Sequence, residues 1–444
     1  MSRRAAVRRA QSNRPPEEAV IVDLAHDGRG VARIDGKTVF VPDALPGETV
    51  RVVRNSFHSS FDEARLEYVL TPSADRVTPE CIHFGLCGGC ALQHLAPKRQ
   101  MEFKQQQLSE AFERIGKVKP LKVLPPLQGE VWRYRRRARL GAKWVIKKDK
   151  VLVGFRERGT PFLAELNSCA VLKPPLDRLL EPLSELIGSL SIKDRIPQVE
   201  VAVADNATAL VFRMLGPPTD SDLEQLRQFA LTRGVQVYLQ SGNYSTVAPL
   251  DAVAMPLTYR LPRFDVEIEF LPADFIQVNG DLNRRMVERA VELLAPTAAD
   301  HVLDLFCGLG NFSLPLARHA AAVVGVDGEA GLIDRARDNA RRNAITNATF
   351  YAANLAEKTA GQPWASRGYD KVLLDPPRAG AAEMLPLIAA SGARRVVYIS
   401  CHRASLARDA GLLVREHGFT LQGAGVMDMF AHTAHVESIA VFDK

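Results

Sequence analysis

The stretch His301–Phe312 (HVLDLFCGLGNF) has the pattern of a hydrophobic strand that runs into a glycine-rich turn and then opens a helix. Gly308 and Gly310 let the backbone turn tightly and approach a ligand closely. Further on, Val323–Asp327 ends on a carboxylate, which is suited to hydrogen bonding with ribose hydroxyls. Segments typical of strands recur at residues 301–306, 322–327, 348–352, 371–375 and 395–400. Because helical segments separate most of them, the pattern predicts a doubly wound α/β sheet.

The glycine loop favours S-adenosylmethionine over a nicotinamide dinucleotide as the cofactor. A dinucleotide-binding loop carries a third glycine where this chain has Ser313. Asp304, which precedes the loop, would lie poorly beside a pyrophosphate but well beside a cationic cofactor. The loop alone leaves the nicotinamide alternative open. Asn354, after the third strand, is either a contact to the adenine edge or an ordinary polar turn residue.

Two of the strands end on reactive side chains. Lys371–Leu374 leads into Asp375–Arg378 (DPPR), and Arg395–Ile399 leads into Ser400-Cys401. The carboxyl ends of strands in an open parallel sheet face the ligand crevice, so we expect Asp375 and Cys401 to share it. A cysteine thiol, with an ordinary pKa of about 8.5, needs a nearby base or a lowered pKa. The N-terminal dipole of the helix expected after Cys401 would lower it.

A thiolate beside a methyl donor suits the methylation of an unreactive ring carbon. Uracil C5 is a poor nucleophile, but addition of the thiolate to C6 creates an enolate whose C5 can attack a sulfonium methyl group. A base must then remove the C5 proton. Glu437 is the candidate base, although a glutamate near a C-terminus is more often a surface charge. Cys307, inside the glycine loop, is instead expected to be an inert packing residue.

The composition is that of an ordinary globular protein. The 444 residues are 46% hydrophobic and 24% charged, which allows two or three domains with their own cores. The net charge of +6 decides little, but Trp132–Arg139 packs five arginines around two aromatic residues. Such a run predicts phosphate contacts and base stacking with a nucleic acid. The alternative is a solvated strand or loop surface.

The chain has no features of a membrane or secreted protein. No apolar run approaches the ~20 residues that span a membrane. The basic N-terminus, residues 1–15, lacks the apolar segment of a secretory signal, and we expect it to be a disordered arm. Six unevenly spaced cysteines do not make a disulfide scaffold in a chain of this length. These features predict a cytoplasmic location.

Three cysteines within ten residues have the spacing of metal ligands. Cys81, Cys87 and Cys90 follow a C-x5-C-x2-C pattern with two glycines between the last two. Cys169 is the candidate fourth ligand, and His83 is the fallback. Four thiolates suit either a [4Fe–4S] cluster or tetrahedral zinc, and the spacing alone does not separate the two.

The rest of the chain shows weaker but readable patterns. Short apolar runs between turn signals predict strands at 19–22, 38–41 and 49–53, as in a small barrel. Apolar spacing predicts a helix over Lys98–Ile115. The mixed region that follows is predicted to contain strands at 199–203 and 209–212 and helices near 177–190 and 220–233.

Four motifs make the chain resemble the RNA 5-methyluridine (uracil-C5) methyltransferases over essentially its whole length. They are F-x-Q-x-N at Phe275–Asn279, D-L-F-C-G-x-G-x-F at Asp304–Phe312, D-P-P-R at Asp375–Arg378 and the nucleophile motif at Ser400-Cys401. The resemblance implies Cys401 as the nucleophile and Glu437 as the base. It also implies cofactor contacts at six residues: Gln277, Phe306, Asn311, Asp327, Asn354 and Asp375. One departure is mild: the ribose-binding acid is often glutamate, and Asp327 is one methylene shorter.

The resemblance further implies a multidomain α/β architecture. Residues 16–73 would form a TRAM domain, an OB-like RNA-binding β-barrel, and residues 74–96 with 119–270 a central α+β domain with the iron–sulfur site. Residues 97–118 with 271–444 would form a Rossmann-like class I methyltransferase domain. The cysteine pattern resembles the four-cysteine [4Fe–4S] site of a branch that methylates 23S ribosomal RNA. The tRNA-directed branch is expected to lack both barrel and cluster.

Together these features predict an enzyme that uses S-adenosylmethionine to methylate uracil C5 of a specific uridine in 23S ribosomal RNA, through a covalent adduct between Cys401 and C6. We expect a monomer. One alternative is a uracil-C5 methyltransferase acting on tRNA or on a second 23S site. Another is a non-catalytic iron–sulfur RNA-binding protein. A radical methylthiotransferase is disfavoured because the chain has no C-x3-C-x2-C triplet.

Overall fold

The computed structural model describes residues 15–357 and 361–444. Apart from Pro15, the predicted N-terminal arm lies outside the described residues. The chain divides into two compact units: a smaller one of Met1–Lys104, Arg156–Pro161 and His432–His435, and a larger one of Gln105–Phe155, Phe162–Ala431 and Val436–Lys444. No helix in the described ranges is long and apolar enough to cross a membrane.

Strands and helices alternate irregularly in the first part of the chain and regularly after residue 300. The strands are β1 (Glu17–Leu24), β2 (Gly30–Ile34), β3 (Lys37–Val41), β4 (Thr49–Phe57), β5 (Phe61–Thr71), β6 (Lys122–Val123), β7 (Arg137–Val145), β8 (Lys150–Gly154), β9 (Gln198–Val203), β10 (Thr208–Arg213), β11 (Gln236–Gln240), β12 (Val247–Pro249), β13 (Leu257–Leu261), β14 (Val266–Phe270), β15 (His301–Leu305), β16 (Ala322–Asp327), β17 (Ala348–Ala352), β18 (Lys371–Leu374), β19 (Arg395–Ser400), β20 (Thr420–Met427) and β21 (Glu437–Asp443). The α-helices are α1 (Pro97–Ala111), α2 (Leu180–Ser189), α3 (Asp220–Arg233), α4 (Gly280–Leu294), α5 (Ser313–Ala317), α6 (Ala330–Arg342), α7 (Leu385–Ala390) and α8 (Arg403–Arg415).

The smaller unit contains a closed barrel with strand order β1-β2-β3-β5-β4. It closes because β1 pairs antiparallel with both β2 and β4. Alternate side chains point inward and fill the interior, among them Ile21, Val39 and Val50. The tight turn between β2 and β3 uses Asp35 and Gly36, both with positive φ (52° and 75°). The three strands predicted from the apolar runs are confirmed as parts of β1, β3 and β4.

A six-stranded sheet of the larger unit has the order β12-β11-β10-β9-β7-β8. The predicted strands at 199–203 and 209–212 are confirmed as β9 and β10, and the predicted helices near 177–190 and 220–233 as α2 and α3. The helix predicted over Lys98–Ile115 is α1, whose last residues pass into a single π-helical turn, Phe112–Gly116.

An eight-stranded sheet of the larger unit has the order β17-β16-β15-β18-β19-β21-β20-β6. The five strands predicted from the alternating pattern are confirmed as β15 to β19, which pair in parallel. The chain moves outward from β15 to β17 and then returns to β18 on the other side of β15, so the topological switch point lies between β15 and β18. The core packs Met286 and Ala290 of α4 with Leu373 and Val397 of the sheet. The sequence pattern did not reveal β6, β20 or β21.

Two arginines of the run around β7, Arg136 and Arg137, bind backbone carbonyls of the protein itself. Arg136 is 2% exposed, and its Nε donates to the carbonyl of Gln277 at 2.9 Å. Arg137 donates to the carbonyls of Pro272 and Ala273. Burial lowers the pKa of both guanidinium groups. The prediction of phosphate contacts from this run is therefore wrong for these two arginines.

The capped start of α3 provides a test of the fold's pH-dependent stability. Asp222 is buried, and its carboxylate accepts hydrogen bonds from Ser191 N at 2.7 Å, Ser191 Oγ at 2.6 Å and Thr219 N at 2.9 Å. Burial opposes its ionisation, but these hydrogen bonds outweigh burial and lower the pKa of Asp222 to about 2. The stabilisation is therefore complete above the unfolded-state pKa and is lost as pH falls towards 2.

We expect Asp222→Asn to reduce the free energy of unfolding by about 2 kcal/mol at pH 7, because hydrogen bonds to a charged acceptor are lost. The difference from wild type should narrow as pH falls below about 4. Urea unfolding between pH 3 and pH 7 measures both effects. The exposed Asp220→Asn in the same helical turn is the control, and a gap that stays constant with pH would contradict the assignment.

Candidate active site

Three neighbouring strands bring the predicted reactive groups to one edge of the eight-stranded sheet. β18 and β19 pair in parallel up to Leu374 and Tyr398, so the residues that follow them, Asp375 and Cys401, lie at adjoining strand ends as predicted. β21 pairs antiparallel with β19 in a register that sets Ser438 opposite Ser400. Glu437, the first residue of β21, therefore begins its strand at the end of β19 that carries Cys401.

Glu437 is not a surface charge, because it is only 3% exposed. Burial, followed by the nearby carboxylate of Asp375, raises the pKa of Glu437 well above its usual range. Burial also raises the pKa of Asp375 to about 7, although a hydrogen bond from Gln277 Nε2 to Asp375 Oδ2 (3.3 Å) favours the charged form. Because Asp375 carries the same sign of charge, it opposes the ionisation of Glu437.

The Cys401 thiol is protonated at neutral pH in the ligand-free protein. Burial, followed by the carboxylates of Glu437 and Asp375, raises its pKa to about 11, and the opposing effect of Arg378 is smaller. The helix predicted after the cysteine is present as α8. The expected lowering of the thiol pKa is nevertheless wrong, because desolvation and two like charges outweigh a helix dipole.

The glycine loop between β15 and α5 has the backbone of a close-approach turn. Phe306, Gly308 and Gly310 all have positive φ (63°, 52° and 91°). Asp327, at the end of β16, accepts a hydrogen bond from Gly308 N on one oxygen and from Glu329 N on the other, both at 3.0 Å. Each carboxylate oxygen keeps a second lone pair, so Asp327 is held in place and can still accept from a ribose.

Asp304 lies beneath this loop as a fully buried carboxyl group. Its Oδ2 accepts a hydrogen bond from Ser313 Oγ, while its Oδ1 has no hydrogen-bond partner among the described residues. Burial raises its pKa to about 7, the Ser313 bond opposes this rise, and Asp375 and Asp327 add to it. An unused buried carboxyl oxygen among other acids suits a cationic ligand, so these residues fit S-adenosylmethionine.

The other predicted cofactor contacts differ in how much of each side chain is available. Asn311 exchanges two amide hydrogen bonds with Asn283 (2.9 and 3.0 Å) and accepts a third from Tyr259. Asn354 is exposed, bonds to Glu357 and accepts from Ala356 N, as a polar turn residue does. Sequence reasoning missed Asn283 and Tyr259, which come from distant segments and carry no motif of their own.

The predicted metal ligands are distributed over both units. Cys81, Cys87 and Cys90 lie in the smaller unit and Cys169 in the larger, and all four are partly exposed. Burial raises the pKa of Cys87, and the nearby Cys81 contributes in the same direction. Among the described residues, no group of three or more His, Cys, Asp or Glu side chains is placed to hold a metal ion. Cys307 is 3% exposed in the hydrophobic core, consistent with a packing residue.

Comparison with known sequences identifies the class of protein to which this fold and this site belong. A family model described as tRNA (Uracil-5-)-methyltransferase matches residues 261–444, and a TRAM domain model matches residues 17–53. The chain belongs to the RNA (uracil-C5)-methyltransferase family. In particular, it is 53% identical to the 23S rRNA (uracil(1939)-C(5))-methyltransferase RlmD of Alkalilimnicola ehrlichii, over 98% of each chain. It is 52% identical to RlmD of Stenotrophomonas maltophilia, over 98% of this chain and 99% of the relative.

A solved structure in the same family corrects one expectation. The tRNA (uracil-54, C5)-methyltransferase of Pyrococcus abyssi, in complex with S-adenosyl-L-homocysteine, is 25% identical with a TM-score of 0.73. The match covers 96% of this chain and 99% of that one. Only 4% of this chain lies outside the match, whereas residues 17–71, which contain the barrel strands, make up more than a tenth of it. The match therefore includes most of the barrel. The expectation that tRNA-directed members lack the barrel therefore does not hold for this one enzyme.

The raised thiol pKa predicts the reactivity of Cys401 in the absence of ligands. Because only the thiolate reacts, alkylation of Cys401 by iodoacetamide should be slow at pH 7 and rise about tenfold per pH unit towards pH 10. Removing the neighbouring negative charge in Glu437→Gln should lower the thiol pKa and speed the reaction at pH 8. Peptide-level mass spectrometry measures the rates. The exposed Glu416→Gln is the matched control, and a rate already constant above pH 8 would contradict the prediction.

Proposed function

We propose that this protein transfers a methyl group from S-adenosylmethionine to uracil C5 of a specific uridine in 23S ribosomal RNA. The observation that carries the proposal is the convergence of Cys401, Asp375 and Glu437 from three neighbouring strands. A thiol, a base and a carboxylate beside a nucleoside-binding loop are the groups that C5 methylation of a pyrimidine requires.

In the proposed reaction, Cys401 forms and later breaks the bond to the RNA. The thiol proton passes to solvent, the thiolate adds to uracil C6, and the electrons of the C5–C6 double bond move towards O4. S-adenosylmethionine supplies an electrophilic methyl group, so a C5–CH₃ bond forms as the methyl–sulfur bond breaks. Loss of the C5 proton then restores the double bond and expels the Cys401 thiolate.

Glu437 is proposed to accept the C5 proton. Its burial keeps water away from the group and raises its pKa, which makes the carboxylate a stronger base once it is ionised. A cationic cofactor near Asp375 would favour the ionised form of this carboxyl pair. Asp375 is proposed to bind and orient rather than to accept the proton, since Gln277 already holds one of its oxygens.

The remaining predicted contacts are proposed to hold the cofactor. Phe306, Asp327 and Asp375 lie at the ends of β15, β16 and β18, near the switch point of the sheet. Gln277 donates to Asp375, and Asp304 contributes a buried carboxyl group. Asn311 is proposed to bind through its remaining amide hydrogen, and Asn354 through a turn that is exposed beside β17. We also propose that the enzyme acts as a cytoplasmic monomer.

23S ribosomal RNA is the favoured substrate because the relatives named for it are more similar in sequence to this chain than the structural neighbour named for tRNA. The relatives named for 23S rRNA are 53% and 52% identical to this chain, whereas the structural neighbour named for tRNA is 25% identical. The barrel does not discriminate between these substrates, because the match to the tRNA enzyme extends over it. Methylation of tRNA is the second candidate.

The role of Glu437 predicts a trapped intermediate. Glu437→Gln should accumulate a covalent complex between Cys401 and methylated RNA, because the C5 proton cannot leave, and turnover should fall by at least about 100-fold. Labelled S-adenosylmethionine, 23S RNA fragments and denaturing gels measure both effects. With 5-fluorouridine-substituted RNA, wild type should form the same kind of complex, since fluorine at C5 blocks proton loss.

Two variants and two RNAs make this experiment decisive. Cys401→Ala should form no complex and transfer no methyl group, while the exposed Glu416→Gln should behave as wild type. Methylation by Cys401→Ala would refute the nucleophile, and normal turnover by Glu437→Gln would refute the base. Faster methylation of tRNA than of 23S RNA would replace the proposed substrate.

We further propose that Cys81, Cys87, Cys90 and Cys169 bind a [4Fe–4S] cluster. The proposal rests on the C-x5-C-x2-C spacing, the partial exposure of all four thiols and the resemblance to the cluster-containing branch. Methyl transfer needs no electron, so the cluster would serve to hold its surrounding loops in shape.

Protein purified without oxygen should contain about four iron atoms per chain and show the broad visible absorption of an iron–sulfur cluster. Cys87→Ser should lose most of both signals. Cys401→Ala is the matched cysteine control and should retain them. Metal analysis that finds zinc in place of iron, or iron that survives in Cys87→Ser, would contradict the assignment.

A further inference from the structure

A fully buried aspartate on α8 joins two segments of the active site. Asp409 Oδ2 accepts hydrogen bonds from Tyr398 Oη at 2.6 Å and from Ala381 N at 2.8 Å. Its Oδ1 accepts from Arg408 Nε at 2.8 Å. Burial, followed by the carboxylate of Asp409, raises the pKa of Tyr398, so the phenol remains a donor. Several donors to one charged, dry acceptor make a strong and geometrically defined connection.

The two donors belong to the segments that carry the reactive groups. Tyr398 lies on β19, three residues before Cys401, and Ala381 lies six residues after Asp375. The ladder between β18 and β19 ends at Leu374 and Tyr398. Beyond that pair, no ladder bond links the loop of residues 375–381 to β19, so its position relative to Cys401 depends on other contacts.

The first turns of α8 provide those contacts. Ser405 Oγ donates to the carbonyl of Arg378 at 2.9 Å, and Arg408 Nη2 donates to the carbonyl of Ala379 at 2.8 Å. Gly380, with φ of 88°, lies so close that a Cβ there would be 2.6 Å from both Arg408 Nη2 and Asp409 Oδ2. Only glycine allows the loop to approach the helix this closely.

We propose that Asp409 is a positioning residue, which fixes the loop carrying Asp375 against the strand carrying Cys401 without itself touching RNA or cofactor. The inference rests on the proposed function insofar as it concerns the rate of methyl transfer. A misplacement of about 1 Å between reacting groups can cost about 100-fold in rate. Asp409 therefore acts through the spacing of Cys401 and Asp375.

Single-turnover methyl transfer tests this role, with 23S RNA fragments and S-adenosylmethionine both saturating. Asp409→Asn keeps the shape of the side chain but replaces its carboxylate by an amide. Tyr398→Phe removes the phenol that donates to Asp409 and leaves the aspartate in place. We expect the rate to fall about 10- to 100-fold in Asp409→Asn and less in Tyr398→Phe. The dissociation constant for RNA should stay within about twofold of wild type, since neither residue contacts it.

Asp300 provides a matched control at the opposite end of the same strands. It is buried and accepts hydrogen bonds from Thr297 N and Thr297 Oγ1. It also forms an ion pair with Lys371, the first residue of β18. Asp300→Asn should lower the melting temperature without a comparable loss of rate. Equal rate losses in Asp300→Asn and Asp409→Asn, or an unchanged rate in Asp409→Asn, would overturn the proposal.

A second measurement needs neither RNA nor cofactor, so it separates this proposal from the proposed function. The thiol pKa of Cys401 is raised partly by Asp375, and displacement of the Asp375 loop should therefore lower it. Alkylation of Cys401 at pH 8 should become several-fold faster in Asp409→Asn and Tyr398→Phe but not in Asp300→Asn. Unchanged alkylation in both Asp409→Asn and Tyr398→Phe would overturn the positioning role even if the enzyme proved to act on another RNA.

Discussion

The antiparallel pairing of β21 with β19 is the constraint on which the active site depends. Their register sets Ser438 opposite Ser400, and Glu437 therefore lies at the end of β19 that carries Cys401. Because side chains alternate across a strand, a slip of one residue would turn Glu437 to the other face of the sheet. The relative placement of the nucleophile and the proposed base thus depends on a single strand register, although 35 residues separate them in the chain.

This register brings the buried Glu437 to the strand ends that carry Asp375 and Cys401. Asp304, Asp375 and Glu437 all have raised pKa values, first because of burial. For Asp304 and Glu437 the negative charge of Asp375 adds to the rise. The same surroundings keep the thiol of Cys401 protonated. A cationic ligand bound there would favour ionised carboxyls and release protons, so ligand binding and the readiness of the base are linked.

The arginine-rich run shows how a local pattern can mislead. Its density of cations next to aromatic residues is typical of nucleic-acid contacts, yet Arg136 and Arg137 are directed at backbone carbonyls inside the larger unit. Arg136 also lies 4.7 Å from the centre of the Tyr259 ring. The composition of a segment does not reveal which neighbours its side chains will meet. In this chain, that depends on the loop around Gln277, which is more than a hundred residues away.

The strands β15 to β19, the glycine loop and the adjacency of Asp375 and Cys401 are predictable from the amino-acid sequence. Each follows from a periodicity or motif in contiguous residues, and neighbouring parallel strands necessarily open at the same edge. Three further properties are visible only in the three-dimensional structure: the burial of Glu437, the hydrogen bonds between Asn311 and Asn283, and the raised pKa of the Cys401 thiol. These properties depend on strand register, long-range hydrogen bonds and desolvation, which arise only when distant segments pack together.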